Sequence, residues 1–300
     1  MAKARAIVKR RKAVQNIKKI TQTMQLIATA RFQKCLQRAV ASQPYTRKIT
    51  ELIQTLGGQA AVDHPLLRPN DAEGQSLLLV ITSNRGLCGS YNASVLRQVL
   101  ETRRTLESSG LTPTMEVVGK KGINYLKFLR VEVAVKITDV EDRIAFDRVA
   151  EMAERYMRLY EAGQIARVDV VYMQFHSVGV QRPTVTQLLP IETPPPEPRA
   201  PASAAAGARE AARRRAEFEF SPPPAELLSR LIPEAVKIRL YQCFNDAIVS
   251  EQVARMVAMK AATDAAGDMI RYLTRQYNRA RQSQITLELA DIVGGANAVQ

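Results

Sequence analysis

Two long ends almost free of helix breakers constrain this chain more than any other feature. From Glu234 to Gln300 there is no proline, and glycine occurs only at Gly267, Gly294 and Gly295. Apolar side chains recur there at Val249, Val253, Met256, Met259, Ala262, Ala266, Met269, Leu273, Tyr277 and Ala280, in steps of three or four. At 1.5 Å per residue such a stretch predicts a helix on the order of 90 Å long, where an ordinary globular helix has about a dozen residues. A seam averaging close to 3.5 residues per contact supercoils left-handedly and has to be covered by a second helix. Lys3 to Leu56 can supply it: this stretch has no glycine, one proline (Pro44), and Ile7, Val14, Ile17, Ile20, Met24 and Ile27 at matching spacing. The expected architecture is a long antiparallel coiled coil of the two terminal helices, with everything between Gly57 and Pro233 inserted between them.

Charge is placed unevenly along that coil. The net charge is +14, yet the first fifty residues contain no Asp or Glu, and eight Lys or Arg fall between Lys3 and Lys19. A solvated helix face ordinarily mixes both signs, so this end of the chain is expected to seek an anionic surface: nucleic acid, acidic lipid headgroups or an acidic protein loop. No run approaches eighteen uninterrupted apolar residues, which argues against a membrane span. The basic start MAKARAIVKRRK lacks the apolar segment of a secretory signal, and is read as mature structure in a cytoplasmic-type compartment. Cys35, Cys88 and Cys243 are too few and scattered for a disulfide framework or a zinc site. His64 and His176, the only histidines, have no Cys or second His at metal-ligand spacing and are read as packing or hydrogen-bonding residues.

Between the ends the period changes. Leu77–Thr82 is a continuous apolar run of strand formers, as expected for a strand covered on both faces, and further strands are predicted over 115–119, 131–137, 168–175 and 184–189. Amphipathic helices are predicted over 92–105, 121–129 and 142–162, and the alternation argues for an inserted, mainly parallel α/β domain of Rossmann-like type. The expected organisation is a coiled-coil helix over 1–56, an α/β domain over 57–190, a Pro/Ala/Arg-rich insertion or linker over 191–224 with a short helix near 208–216, and a second coiled-coil helix over 225–300. The segment Ser83–Gly89 (SNRGLCG) turns a strand into a helix, where glycine-rich backbone can present N–H groups to phosphate. It has neither the three-glycine dinucleotide spacing nor the Lys-Ser/Thr of a P-loop, so Arg85, Gly86 and Gly89 are read as a tight βα turn. No catalytic set, metal cluster or cofactor motif emerges elsewhere.

Three blocks taken together resemble the gamma subunit of the rotary, F-type ATP synthase. They are Val14–Ala30 (VQNIKKITQTMQLIATA), Ser83–Gly89 with HPLL at His64 upstream, and Ser250–Ala266 (SEQVARMVAMKAATDAA) continuing into Tyr277–Leu289 (YNRARQSQITLEL) and DIVGGANAV. The resemblance implies a non-catalytic central-stalk rotor: a two-helix shaft in the bore of a ring of alpha and beta subunits. Its α/β foot would meet the epsilon subunit and the membrane ring of c subunits, peripheral to the cytoplasmic side of a bacterial inner membrane. Rotation of the c ring would turn the shaft and drive the catalytic sites, mainly on beta, through their conformational cycle. Position by position, the resemblance carries Arg281, Gln282, Thr286 and Glu288 onto contacts with beta-subunit catch loops. It carries Lys18, Lys19 and Met24 onto the region near an acidic beta loop, and Arg255 and Lys260 onto positions of coil stabilisation or torque. Asn84 departs from the pattern, which commonly has Asp there. The competing reading is a basic coiled coil that binds nucleic acid; it predicts base-stacking aromatics among the charges, and residues 1–34 offer only Phe32.

Overall fold

The computed structural model describes residues 2–57, 64–70, 74–191 and 224–297. The apolar run that predicted a doubly covered strand becomes β1 (Gln75–Ile81), buried from Ser76 onward. It is the centre of a five-stranded sheet. Its neighbours are β2 (Thr112–Val118) on one side and β4 (Arg167–Phe175) on the other, both parallel to it. The edges are β3 (Val135–Ile137), parallel to β2, and β5 (Gln181–Leu189), antiparallel to β4. The crossovers are helical: α2 (Tyr91–Ser108), α3 (Lys120–Phe128) and α4 (Phe146–Glu161).

Two predicted elements are shorter than expected, for local reasons. The strand predicted from Val131 begins at Val135, because residues 129–131 close α3. Arg130 takes φ 58°, the Arg130 amide bonds back to Lys127, and the Val131 amide reaches the Leu126 carbonyl. That left-handed stop satisfies the last carbonyls of the helix without glycine. The helix predicted from Asp142 begins at Phe146; the Asp142 carbonyl instead accepts from the Cys35 thiol at 3.5 Å and from Arg38 at 3.3 Å.

The terminal helices are α1 (Ala2–Gly57) and α5 (Pro224–Asn297). Both run through an internal proline, Pro44 and Pro233. The C-terminal helix thus starts at Pro224, where the missing amide of proline costs least. The predicted insertion, including its short helix near 208–216, falls on residues outside those described.

The chain divides into two compact units, Met1–Gln33 with Gly86–Ser90 and Glu251–Gln300, and Lys34–Arg85 with Tyr91–Ser250. In the second, the sheet and its helices share a core with the N-terminal part of α5, where Ile232, Val236, Leu240 and Phe244 are buried. The Tyr91 hydroxyl reaches the Ala247 carbonyl, Lys237 bridges Glu154 and Glu234 at 2.9 Å each, and Phe146 meets Tyr241 edge-on.

In the first unit, α1 and α5 run antiparallel, and the observed seam keeps Ile7, Val14, Ala266 and Leu273 of the expected one but not all of it. Val14 packs with Ala266 and Leu273, flanked by Ile7 and Ile270. Thr21 and Thr263 join through their hydroxyls at 2.8 Å, and Arg11 lies over the Tyr277 ring. Ile17, Ile20 and Ile27, predicted to face the partner, are instead 53%, 59% and 48% exposed, and Met269 on α5 is 51% exposed. The reason is angular. Val14, Thr21 and Ala28 repeat every seven residues and drift only about 20° per repeat, whereas Ile17, Ile20, Met24 and Ile27 form a second stripe roughly 100° round the helix. The stripe of smaller residues is the one that lies against α5.

Candidate functional site

The residues to which partner contacts are assigned lie on the outer surface of the coil. Lys19, Lys260, Arg281, Gln282, Thr286 and Glu288 are exposed, while Lys18 and Met24 are half-buried at the margin of the seam. Lys18 extends over Gly267, its Nζ 3.5 Å from where a β-carbon would stand. Arg281 and Gln282 are consecutive and so point about 100° apart. The Thr286 hydroxyl caps the Gln282 carbonyl at 3.0 Å, and Gln284 donates to Glu288 at 2.9 Å. Around them Ile285, Leu287, Leu289, Ile292 and Val293 are all more than half exposed. That density of bare aliphatic side chains on one helix end is far above the scattered apolar residues of a normal surface, and marks an interaction surface.

Arg255 differs from the rest. Its side chain is 12% exposed, and its guanidinium holds Glu251 at 2.6 Å, Gln252 at 3.2 Å and the Gly86 carbonyl at 3.4 Å. These contacts tie residues 86–90 to α5. Leu87 and Gly89 both adopt positive φ, and a β-carbon on Gly89 would only touch Ala258 at 3.8 Å.

Before this segment, residues 82–85 occupy the carboxyl end of β1, the place where doubly wound folds bind phosphates. Here the N-terminus of α3 is already saturated from within. The Asn84 side-chain oxygen accepts from the Lys120 amide at 3.1 Å, the Ser83 carbonyl from the Lys121 amide at 3.1 Å, and the Thr82 hydroxyl from the Gly122 amide at 3.1 Å. The Asn84 amide group in turn donates to the carbonyls of Thr138 and Val140, at 3.1 and 2.6 Å. The first three amides of α3 are thus bonded within the fold. Arg85 is exposed and only loosely paired with Glu141 at 3.6 Å.

The glycines that this turn cannot do without escaped the sequence reading. Gly119 has φ 96° and packs its α-carbon against the Thr82 backbone, where a β-carbon would stand 2.2 Å from the carbonyl oxygen. On Gly122 a β-carbon would stand 2.5 Å from the Thr82 hydroxyl. The signal available in the sequence was a Gly-x-x-Gly spacing directly after a strand, across the start of the next helix.

Elsewhere in the second unit the titratable groups serve the core. Glu116, buried on β2, accepts from Arg155 at 2.5 Å and from the Tyr156 hydroxyl at 2.8 Å. Burial and the Glu116 charge push the Tyr156 hydroxyl well above its usual range. Asp246 on α5 is buried with one side-chain donor, Gln242 at 2.8 Å, and burial pushes its carboxyl up to about 6. His64 accepts from the Leu66 amide at the start of a short turn, and burial holds its imidazole below the ordinary value. Among the described residues no group of His, Cys, Asp and Glu could hold a metal ion, and no helix is long and apolar enough to cross a membrane. The first thirty-four residues offer no exposed aromatic for base stacking, since Phe32 is buried.

Comparison with known proteins finds relatives along nearly the whole chain. A family model described as ATP synthase matches residues 3–299. The ATP synthase gamma chain of Rhodopirellula baltica is 45% identical over 301 residues, covering all of both chains. That of Leptospira biflexa is 34% identical over 300 residues, again covering both chains entirely. Among solved structures, a chain of the Euglena gracilis mitochondrial ATP synthase rotor superposes with a TM-score of 0.64 at 18% identity, covering 95% of this chain and 99% of that one. A chain of the Tetrahymena thermophila central stalk and c-ring superposes with a TM-score of 0.54 at 19% identity, covering 81% and 99%.

Proposed function

Because this chain belongs to the ATP synthase gamma-chain family, we propose that it is the rotor shaft that couples c-ring rotation to the conformational cycle of the catalytic beta subunits, in synthesis and in the reverse direction. The observation that carries this reading is the coil itself. Its seam is filled by Val14, Thr21, Ala28, Ala266 and Leu273, while larger aliphatic residues, Ile17, Ile20 and Ile27 on α1 and Ile285 to Val293 on α5, stand outside. A helix pair that kept its best apolar surface for itself would bury those residues. Left outside, they suit a surrounding protein collar, the alpha and beta subunits of the head. The exposed cations of α1 suit acidic loops of that collar, because long-range charge steers and attracts without fixing one geometry. The shaft does work only if its different faces bind the beta conformers with unequal free energy.

In this reading Arg281, Gln282, Thr286 and Glu288 meet the catch loops of beta, and Lys18, Lys19, Met24 and Lys260 meet its acidic loop. The bonds of Arg255 to Glu251, Gln252 and the Gly86 carbonyl favour coil stabilisation over torque for that residue. The turn at Arg85, Gly86 and Gly89 and the outer surfaces of the α/β unit engage the epsilon subunit and the c ring, at the cytoplasmic face of a bacterial inner membrane. In this reading catalysis belongs to the beta subunits and this chain contributes no catalytic residue or cofactor from among its described residues. Consistent with this, Thr82, Ser83 and Asn84 bond the first amides of α3.

The test is reconstitution with the cognate alpha and beta subunits, with and without this chain. A stable, steadily hydrolysing complex is expected only with it. Changing Arg281 and Gln282 together to Ala is expected to lower turnover or assembly by about tenfold, the scale of a two-residue interface hot spot. Failure of the unaltered chain to co-assemble would overturn the reading.

A further inference from the structure

We infer that the outer face of α3 is a contact for anionic lipid: Phe128, with Tyr125 and Leu129 beside it, enters the headgroup layer, while Lys120, Lys121, Lys127 and Arg130 meet lipid phosphates. Such a contact lies beyond the rotor reading and stands or falls without it.

The helix carries the crossover from β2 to the edge strand β3 and turns one side to the sheet, where Gly122, Ile123 and Leu126 are buried. At about 100° per residue, positions four and seven apart share a face, so Lys121, Tyr125 and Phe128 form a stripe on the opposite side. Phe128 is 81% exposed, Tyr125 41% and Leu129 39%. Apolar residues scattered singly over a surface need no explanation, but two aromatic rings and a leucine at one helix end form a patch. The patch is firmly held. The Leu129 amide bonds to the Tyr125 carbonyl, and the left-handed turn at Arg130 closes the helix directly after it. Little order remains to be gained when this face is covered, which lowers the cost of covering it.

Charge surrounds the patch with one sign. From Val117 to Val131 the chain has four cations and no acid. Lys120, Lys121, Lys127 and Arg130 are all exposed, and among the described residues their side chains make no ion pair or hydrogen bond. The first acid to follow, Glu132, is exposed and pairs with none of them, and Lys136 on β3 adds a further exposed cation.

Three features select a lipid surface over a protein or a nucleic acid. A side chain four-fifths exposed has no walls around it, so this face is a ridge and not the groove in which a single strand is tracked and stacked. Three of the four cations are lysine, a hydrated point charge suited to a diffuse negative surface, whereas a protein carboxylate is best gripped by the planar fork of arginine. The apolar group is itself aromatic and ringed by cations, as in helices that lie on membranes with Phe and Leu in the interface and Lys and Arg among the headgroups. Tyr125, an apolar ring with a polar tip, suits the same layer. A helix of nine residues is too short to cross a bilayer, so the contact is peripheral.

The chain has no tryptophan, so Phe128→Trp in the full-length protein places a fluorescent reporter at this site alone. The probes are vesicles of phosphatidylglycerol and phosphatidylcholine in equal parts, vesicles of phosphatidylcholine, and either composition with brominated acyl chains. Tyr272→Trp, at an exposed position of α5, is the reporter for the coil. With anionic vesicles the Phe128→Trp emission is expected to shift to the blue and to be quenched by the brominated chains, and with phosphatidylcholine to change little. Adding Lys121→Glu and Lys127→Glu is expected to weaken that response by about tenfold or more, while Arg97→Glu with Arg104→Glu, the same charge change on exposed positions of α2, leaves it unaltered. Circular dichroism of each form checks that the helices persist. No shift at Phe128→Trp, or quenching at Tyr272→Trp alone, would overturn the inference and leave the rotor reading standing. Equal weakening by the α2 pair would reassign the effect to net charge and overturn it as well. A shift on adding the cognate epsilon subunit or the alpha–beta head, but not vesicles, would give the face to a protein, and emission already blue in the free chain would show it covered from within; either result overturns the lipid contact.

Discussion

Asn84 shows how much one side chain can settle at the residue scale. The sequence marked it only as a departure from the Asp common in the family. Its amide donates to two carbonyls, Thr138 and Val140, while its oxygen caps the start of α3 through the Lys120 amide. A carboxylate could keep the cap but would face those two carbonyls without a proton to offer. Asn84→Asp is therefore expected to destabilise the α/β unit by about 1–2 kcal/mol, read as a shift in the denaturant midpoint of the full chain. Asp246 gives the opposite case. Burial raises its folded value to about 6, whereas the unfolded chain ionises such a group near 3.9. Between those values the folded state keeps a proton that the unfolded state has lost, so stability falls as pH rises through the window, and the penalty is complete above about 6. Asp246→Asn keeps an acceptor for Gln242 and is expected to stabilise the chain at pH 7.5 by about 1–3 kcal/mol, with the gain shrinking toward zero near pH 4. Equal unfolding midpoints for the two proteins at pH 7.5 would contradict this.

The elements were largely legible, and their outward faces were not. Every predicted strand and helix of the α/β region exists, because continuous apolar runs and amphipathic periods are local properties. Boundaries moved where a tertiary partner claimed a residue, as Cys35 and Arg38 claim the Asp142 carbonyl. On α1 the same kind of pattern misled. Two apolar stripes share that helix, and the expected seam mixed them: Ile7 and Val14 lie in the observed seam, whereas Ile17, Ile20 and Ile27 lie outside it. The observed seam predicts a contrast. Leu273→Ala, which opens a cavity against Val14 and Ala266, is expected to cost about 2–4 kcal/mol in the isolated chain. Ile20→Ala, at an exposed position, is expected to cost under about 0.5 kcal/mol. Thermal melts followed by helical circular dichroism would compare them, and a greater loss from Ile20→Ala would put the seam back where the larger residues lie.

At the scale of the whole molecule, charge is the property that distance does not erase. With a net charge of +14 and no acid in its first fifty residues, the chain is expected to associate with an acidic partner faster at low salt. Its association rate with the alpha–beta head is expected to fall by about tenfold between 0.05 and 0.3 M salt, as the screening length shortens, and stopped-flow mixing would measure it. A rate indifferent to salt would remove the steering role of the basic helix. Length, the long helices, the mainly parallel sheet, the charge asymmetry and the three family blocks were all determined by the sequence alone, because each depends on composition or on neighbours a few residues away. The tertiary structure alone decided which stripe of α1 is covered, and that Gly119 and Gly122 carry the tight packing against Thr82. Those outcomes depend on how closely two elements approach. Small side chains win where helix axes must come within about 8–10 Å, and no period along a single chain records that distance.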